Sequence, residues 1–307
     1  MAEAEPIQKN IVLLANLNCD HVLQLEAPLE AGQRLHYRDG GRRLGGGAAN
    51  TGIGLCWAGH KVLLAARVGR DKTGDWLVQQ AASQGLNLDY VERVEGTTGE
   101  LLVLVDDRGE RTILRQARPP VLPARLPAAP VDCLYVNTDG ADVVAYMKRM
   151  NEHSLVVSQY PRGGRWARPC RVMIASATDL GAVADPWAHA QTLAGNGLEW
   201  LVLTHGEGGA EAISAGRHIR VPAPAVTVVD ATGAGDAFAG GLIHALVNGA
   251  AMDHALAEAG RWAAFTLSSS SSIPSTRLRA HLAGGLNSRA DTGKLDTNKV
   301  SGDDSGE

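Results

Sequence analysis

The chain has 307 residues, of which 45% are hydrophobic and 20% charged, enough for one large α/β domain. The formal net charge is −4 and the basic residues are scattered, which excludes the basic stripe typical of proteins that bind nucleic acid. The polar N-terminus MAEAEPIQKN does not match a secretory signal, and the apolar run IVLLANL is too short to cross a bilayer. We therefore expect a soluble, cytoplasmic protein with neither nucleic acid nor a membrane as a partner.

The four cysteines predict neither disulfides nor a metal site. Cys19, Cys56, Cys133 and Cys170 form no CxxC pair, and none has a histidine at the spacing of a metal finger. Cytoplasmic cysteines are usually reduced. We expect these four to be small, mostly buried hydrophobic side chains.

Short apolar runs alternate with segments of helical periodicity along most of the chain. This alternation predicts an α/β fold, a mostly parallel sheet with helices on both faces. The predicted strands are 11–16, 61–69, 132–139, 155–159, 171–176 and 199–206. The predicted helices are 48–59, 72–85, 141–152, about 186–195, 236–248 and 251–267.

Two regions break this pattern. Polar and apolar residues alternate in them, as in strands that have one solvent-exposed face. They lie at about 20–44 and 100–116, and the second predicts a hairpin around residues 107–109. We expect these lid strands to form a small β-sheet that projects from the main sheet.

The C-terminal part of the chain loses its apolar content. SSSSSIPS, residues 268–275, predicts a loop. From about residue 286 the sequence cannot bury enough apolar surface to offset the entropy of ordering. We therefore predict one domain, residues 1–285, followed by a disordered tail, residues 286–307.

The stretch VVDATGAGDAFAGG, residues 228–241, places small residues and a carboxylate at a predicted helix start. The first N–H groups of a helix have no intrahelical partners, and together with the helix dipole they form an anion site. Glycine lets a phosphate approach the backbone because no Cβ stands in the way. We interpret the stretch as a phosphate cradle whose donors are the N–H groups of Gly233, Ala234, Gly235 and Asp236.

The carboxylate of Asp236 has two interpretations. Phosphoryl transfer to a hydroxyl needs a group that takes the proton of that hydroxyl, and an acid beside the cradle suits the task. Alternatively, Asp236 is only the N-cap of the helix, a position that Asp favours. The doubled glycine, the preceding strand and the second acid at Asp230 favour the general base.

The motif DATGAGDAFAGG closely resembles the C-terminal signature of the ribokinase-like (PfkB) carbohydrate kinases. LGGGAANTGIGLCWAGHKVLLAARVGRDKTGDWL, residues 44–77, resembles the N-terminal signature of the same family. The resemblance implies a parallel α/β sandwich with a β lid that covers the sugar and often serves in dimerisation. It also implies transfer of the γ-phosphoryl group of ATP, with Mg²⁺, to a hydroxyl of a sugar or nucleoside.

The resemblance assigns roles to the residues of the C-terminal motif. Asp236 would be the catalytic base, and residues 233–235 would belong to the anion hole. Asp230 and Thr232 match positions whose oxygens hold a monovalent cation, usually potassium. That K⁺ would tune the cradle and take no part in the chemistry.

ANLNCDHVL, residues 15–23, resembles the Asn-x-Asp segment with which ribokinases bind sugar hydroxyls. The match assigns Asn18 and Asp20 to the acceptor. An amide and a carboxylate can each address two vicinal hydroxyls. The alternative is a plain turn, since Asn and Asp favour turns.

Three further residues match the family's Gly-Gly-x-x-x-Asn, namely Gly46, Gly47 and Asn50. The glycines would permit close backbone contact with the sugar, and Asn50 would reach a hydroxyl. Ribokinases often carry Lys where this chain has Gly47, so the match does not imply specificity for ribose. Asp139, at the end of a predicted strand, matches an acid that contacts the sugar.

The nucleotide side departs from the family. SATD, residues 176–179, stands where the family usually shows Asn-x-x-Glu near the Mg²⁺-bound phosphates. The hydroxyl of Ser176 and the shorter side chain of Asp179 predict weakened Mg²⁺ use or an altered metal requirement. Thr204 and Gly206 match a Thr-x-Gly that meets the nucleotide, although Thr204 also fits a plain strand end.

The sequence therefore predicts an ATP-dependent sugar kinase with a small-molecule sugar and ATP as substrates, and with a lid that excludes water and serves in a homodimer. One alternative is a nucleoside kinase of the same fold. Such a pocket needs aromatic surface to stack the base, whereas only 4% of the residues are aromatic and the lid offers Tyr37. The other alternative, a weakly catalytic sugar- or nucleotide-binding sensor, is supported only by Ser176 and Asp179.

Overall fold

The computed structural model describes residues 8–116, 122–161, 166–271 and 273–284, and the predicted tail at 286–307 lies outside this part. The strands are β1 Asn10–Ala15, β2 Asn18–Leu25, β3 Tyr37–Gly45, β4 Lys61–Gly69, β5 Asn87–Val94, β6 Glu100–Val105, β7 Arg111–Arg115, β8 Cys133–Asn137, β9 Leu155–Gln159, β10 Val172–Ser176, β11 Trp200–Thr204, β12 Ala210–Ser214 and β13 Arg217–Val221. The α-helices are α1 Gly47–Trp57, α2 Lys72–Ser83, α3 Ala141–Asn151, α4 Ala177–Leu180, α5 Pro186–Ala194, α6 Ala234–Val247, α7 Met252–Leu267 and α8 Thr276–Gly284.

The main sheet has nine strands in the order β13-β12-β11-β10-β9-β8-β1-β4-β5. Neighbouring strands from β11 to β5 run parallel, whereas β12 and β13 form an antiparallel hairpin at one edge. The predicted α/β fold with a mostly parallel sheet is confirmed.

Strand β1 shows why the sheet is covered on both faces. Ile11 and Leu13 belong to one apolar cluster, and Val12 and Leu14 belong to the other. Because successive side chains of a strand point to opposite faces, a strand buried on both faces has a continuous apolar sequence. The first cluster packs against α1, α2, α6 and α7, and the second against α3 and α5.

The lid is a separate four-stranded sheet in the order β3-β2-β6-β7. Strands β2 and β6 run parallel, and both outer pairs are antiparallel. The predicted hairpin joins β6 to β7, where the amide of Asp106 donates to the carbonyl of Glu110 at 3.0 Å and that of Gly109 donates to the carbonyl of Asp106 at 3.1 Å.

Three strands and two helices, the single-turn α4 and α8, were not predicted from the sequence. Strand β5 is at an edge of the main sheet, and its charged residues interrupt the apolar run. The hairpin of β12 and β13 occupies the other edge, with small or charged residues at many of its positions. Edge strands bury little surface, so their hydrophobic signal is weak. Helix α8 follows the serine-rich segment, for which only a loop was expected.

Most of the cysteines are buried, as the sequence predicted. All four are free thiols, and Cys19, Cys133 and Cys170 are buried. Burial raises the pKa of the Cys56 thiol to about 12. In the ranges that the structure describes, no helix has the length and apolar character needed to span a bilayer.

Candidate active site

Polar residues collect where parallel strands end, at the carboxyl edge of the main sheet. Asn137, the last residue of β8, pairs with Ala15 at the end of β1. Helix α1 begins at the same place, because the amide of Ala48 donates to the carbonyl of Asn16 at 3.1 Å. In open α/β sheets, ligands bind outside this edge.

Helix α6 begins at the glycine-rich motif. Its N-cap is Gly233, whose φ of 77° lies in the left-handed region that glycine adopts without strain. Asp236 is the third helical residue, so the interpretation of Asp236 as the N-cap is wrong. An acid in the first turn interacts favourably with the helix dipole.

The Asp236 carboxylate is held by two amide side chains. Asn50 Nδ2 donates to Asp236 Oδ2 at 3.0 Å, and Asn137 Nδ2 donates to Oδ1 at 3.3 Å. The hydroxyl of Thr51 donates to the backbone carbonyl of Asp236 at 3.0 Å and ties α1 to α6. Sequence reasoning named Asn50 but missed Asn137. The available signal for Asn137 was a polar residue at the end of a predicted buried strand. Sequence reasoning instead named Asp139, which lies two positions later.

Glycines before and within α1 make this approach possible. A Cβ on Gly47 would lie 2.6 Å from Asn137 Nδ2 and 3.3 Å from Asp236 Oδ1. A Cβ on Gly45 would overlap the carboxylate of Asp20. Gly46 has a φ of 85°, and a Cβ there would overlap the carbonyl of Asn16. These three glycines therefore let the backbone and the functional side chains approach each other closely. The predicted backbone contact of Gly46 and Gly47 with a sugar stays a prediction.

Asp20 is a buried acid with an unsatisfied oxygen. Its residue is 8% exposed, and Oδ1 has no hydrogen-bond partner in the described part of the chain. Burial raises the pKa of Asp20 to about 6, with a smaller rise from the charge of Asp236 and an opposing effect of Arg115 and Arg43. Because a buried polar atom without a partner is costly, such atoms often mark a ligand site.

Two other predicted acceptor residues differ in their surroundings. Asn50 Oδ1 is also buried without a partner among the described residues, on the side chain that already contacts Asp236. Asn18 pairs with Gly45 at the start of β2. Both residues therefore lie next to the region between Asp20 and Asp236.

Asp139 is engaged by the protein itself. Its carboxylate pairs with Arg168, which is 2% exposed and whose Nη1 also donates to the carbonyl of Thr138 at 2.7 Å. Sequence reasoning did not single out Arg168. The contact of Asp139 with a sugar stays a prediction.

Asp230 and Thr232 meet a lid residue that sequence reasoning also missed. Nη1 of Arg111, at the start of β7, donates to Asp230 Oδ1 and Thr232 Oγ1, and Nη2 donates to Asp230 Oδ2. The amide of Thr232 donates to Asp230 Oδ1 at 2.8 Å. Burial acts to raise the pKa of Asp230, but the hydrogen bonds from Arg111 and Thr232 outweigh it and hold the pKa below its usual range.

The residues predicted for the nucleotide side form a second group on the same edge. Ser176 ends β10 beside Thr204 of β11, and its Oγ accepts the amide of Thr178 at 3.2 Å as the N-cap of α4. Asp179 is exposed, and Gly206 starts a single 3₁₀ turn with a φ of 57°. Only strand β9 separates β10 from β8, so these two strands lie roughly 10 Å apart at the usual strand spacing.

A metal would have to bind here with few protein ligands. Within the described ranges, no cluster of three or more His, Cys, Asp or Glu residues could hold a metal ion. Mg²⁺ is typically bound by one or two carboxylates together with substrate phosphates and water. The exposed carboxylate of Asp179 fits that mode of binding.

The chain segment that leads into the α6 motif, residues 225–229, forms one wall of a cavity of about 320 Å³. Val228 and Val229, directly before Asp230, are 52% and 61% exposed. The cavity is lined by Ala225, Val226, Thr227, Val229, Ser268 and Arg277.

A family model for the pfkB family carbohydrate kinases matches residues 8–146 and 172–278. The chain belongs to this family. It is therefore a phosphotransferase with an alcohol acceptor, and both signature motifs noted in the sequence lie within the matched residues.

Curated relatives include both sugar and nucleoside kinases. A deoxyribokinase of Salmonella typhi is 28% identical over 258 residues, which cover 75% of this chain and 84% of that protein. An aminoimidazole riboside kinase of Salmonella typhimurium is 27% identical over 244 residues, which cover 69% and 76% of the two chains.

Solved structures confirm the ribokinase-like fold. A ribokinase from Thermotoga maritima has a TM-score of 0.74 and 19% identity, and covers 90% of this chain and 99% of its own. A nucleoside kinase from Burkholderia thailandensis in complex with inosine has a TM-score of 0.72 and 16% identity, and covers 91% and 99%. At such identities the similarity shows the fold alone.

Proposed function

We propose that the protein is an ATP-dependent sugar kinase in which Asp236 is the general base. The observation that carries the proposal is the carboxylate of Asp236 at the start of α6, held by Asn50 and Asn137. The unpartnered oxygen of Asp20 provides an acceptor for a sugar hydroxyl close by.

In the proposed reaction, Asp20 and Asn50 hydrogen-bond the sugar and orient a primary hydroxyl towards Asp236. Asp236 takes the proton of that hydroxyl while its oxygen attacks the γ-phosphorus of ATP. The bond from the γ-phosphorus to the bridging oxygen breaks, and that oxygen leaves with ADP. The products are a sugar phosphate, ADP and a proton that Asp236 then releases to solvent.

The amides of Gly233, Gly235 and Asp236 are proposed to hold the charge that develops on the transferred phosphoryl group. The amide of Ala234, also predicted as a donor, donates to the carbonyl of Ala231 at 3.3 Å. The space in front of them is open, since a Cβ on Gly235 would meet no atom within 4 Å. Preorganised N–H donors aimed at developing charge are a large source of catalysis.

Gly235→Ala separates stability from activity. We expect unchanged stability, or a gain of up to about 1 kcal/mol, because Ala is the better helix former and nothing obstructs its methyl group. The methyl group would occupy the approach of the phosphate, so kcat/KM for ATP should fall roughly 10–100-fold. Melting curves and steady-state kinetics measure the two effects. Gly284→Ala, also helical with open space around it, is the matched control; equal ATP kinetics in both variants would contradict the anion hole.

Asp179 is proposed to contact the Mg²⁺ that accompanies ATP, through metal-bound water. When bound, the ion neutralises phosphate charge. Asp179→Glu adds the methylene that the family usually has, so we expect half-maximal activity at a lower Mg²⁺ concentration. The measurement is activity against Mg²⁺ for wild type, Asp179→Glu and the control Asp253→Glu, an exposed acid on α7. Identical curves for the first two would remove this role.

The cavity lined by Val226, Val229 and Arg277 is proposed to receive the adenine ring. Apolar walls with a few polar groups suit a flat heterocycle. Its position on the segment just before Asp230 would let the phosphates extend towards the start of α6.

A sugar is favoured over a nucleoside as the acceptor. Tyr37, the aromatic residue noted in the lid, is eight residues from Gly45 along β3, or roughly 26 Å. The side chains around Asp236 that carry the proposal are carboxylates and amides, which suit hydroxyl groups. Tyr37, Ile113 and Leu114 are exposed on the lid, which supports the proposed homodimer through that sheet.

A thermal-shift screen of sugars and nucleosides with a non-hydrolysable ATP analogue tests the proposal, because a ligand of the folded state raises its melting temperature. Each compound that raises it is then assayed for phosphorylation. We expect a free sugar to be phosphorylated. Phosphorylation of nucleosides alone would establish the alternative acceptor, and binding without turnover would establish the sensor.

A further inference from the structure

The cation site predicted from the sequence already contains a positive charge. The guanidinium of Arg111 contacts both carboxylate oxygens of Asp230 and the hydroxyl of Thr232. Such a two-pronged contact is the geometry in which arginine binds carboxylates most specifically.

The carboxylate of this pair is shielded from water. The side chain of Asp230 is 3% exposed and that of Arg111 is 26% exposed. A potassium ion on the same carboxylate would lie within a few ångströms of the guanidinium, and like charges repel strongly where water is excluded. Asp230 and Thr232 therefore do not fit a monovalent cation while Arg111 is in place.

The segment before α6 is also joined to the end of α7, and a second lid arginine contacts the chain just after α7. The amides of Val229 and Asp230 donate to the carbonyl of Leu267 at 2.8 and 3.2 Å, which joins the start of the motif to the end of α7. Arg43 of β3 donates from Nη1 to the carbonyl of Ser270 at 3.0 Å. Two lid arginines thus contact the two segments that these hydrogen bonds join, namely the motif before α6 and the chain that follows α7.

We propose that Arg111 is a positioning residue that substitutes for the monovalent cation, so that the protein needs no potassium. Through Asp230 and Thr232 it holds the turn from which the amides of residues 233–236 extend. The catalytic part of this inference rests on the proposed function, whereas the exclusion of potassium does not.

The test compares KCl with tetramethylammonium chloride at equal ionic strength, since the organic cation is too large for the site. Melting temperature and kcat are measured for wild type, Arg111→Gln, Arg111→Lys and Arg108→Gln. Arg108 is exposed at the tip of the same hairpin and is the matched control. The melting curves need no substrate. They therefore test whether Arg111 excludes potassium even if no sugar is phosphorylated and the proposed function fails.

We expect wild type and Arg108→Gln to be indifferent to the choice of salt. Arg111→Gln leaves the buried carboxylate of Asp230 without a charged partner, so the melting temperature of this variant in tetramethylammonium should fall by at least about 3 °C. Potassium should then restore part of that loss and raise the kcat of Arg111→Gln about 10-fold. That factor corresponds to the free energy of one hydrogen bond to a charged group. Arg111→Lys keeps the charge and should stay indifferent to potassium.

Three results would each overturn the inference. Potassium could stabilise or activate the wild type, which would mean that the site takes a cation despite Arg111. Arg111→Gln could respond to potassium no more than Arg108→Gln does. Potassium could activate Arg111→Lys. This variant is the test of the inference if Arg111→Gln does not fold.

Discussion

Asp236→Asn should lower kcat at least about 100-fold, the lower end of what general-base catalysis contributes. An amide of nearly the same shape cannot take the proton of the sugar hydroxyl. Asn50 and Asn137 both donate to the carboxylate, and the single amide oxygen of the variant can satisfy only one of them well. A loss of stability of about 1 kcal/mol should therefore accompany the loss of activity.

The measurement is steady-state kinetics together with thermal shifts by the sugar and an ATP analogue. Both ligands should still bind, since the anion hole and Asp20 are unchanged. Asp253→Asn is the matched control, because it removes an acid from the first turn of α7, where only the helix dipole is affected. A kcat of Asp236→Asn close to that of the control would refute the general base.

Asp20→Asn should weaken the use of sugar and stabilise the ligand-free protein. A hydrogen bond to a charged group contributes about 1.5–3 kcal/mol, so kcat/KM for the sugar should fall roughly 10–150-fold. The pKa of Asp20 is raised from 3.8 to about 6 by burial, which means that the ionised group is unfavourable in the folded protein. Each pKa unit corresponds to about 1.4 kcal/mol, so the neutral Asn should add about 1–3 kcal/mol at pH 7.

The pH dependence gives an independent readout of the same carboxyl group. Because its folded pKa lies above its unfolded pKa, the protonated form stabilises the wild type fully below 3.8, and this contribution is lost as pH rises through about 6. The stability advantage of Asp20→Asn should therefore shrink as pH falls from 6 to 4. Over the same range KM for the sugar should rise in wild type, since the protonated carboxyl group is a poorer acceptor.

Asp39→Asn is the control for the lid, because Asp39 is an exposed acid on β3 whose side chain contacts His21. It should change neither the KM for the sugar nor its pH dependence. If Asp20→Asn lost stability and kept its sugar kinetics, the buried carboxylate would be a structural group and the acceptor site would lie elsewhere.

Local sequence patterns predicted most of the fold. The continuous apolar runs of β1, β4, β8 and β9 and the helices between them appear close to their predicted bounds, because periodicity and glycine stops are properties of neighbouring residues. The strands at both edges of the main sheet were missed, because their polar positions are explained only by the neighbour that each strand pairs with.

The sequence by itself determined the α/β architecture, the lid hairpin and the glycine-rich helix start with its acid, since each is written in a short stretch of chain. The tertiary structure alone decided which side chains meet there. Asn137 contacts Asp236 across 99 residues of sequence, and Arg111 contacts Asp230 across 119. No local pattern marks such partners, because their proximity follows from how the strands order in the sheet and where the lid packs.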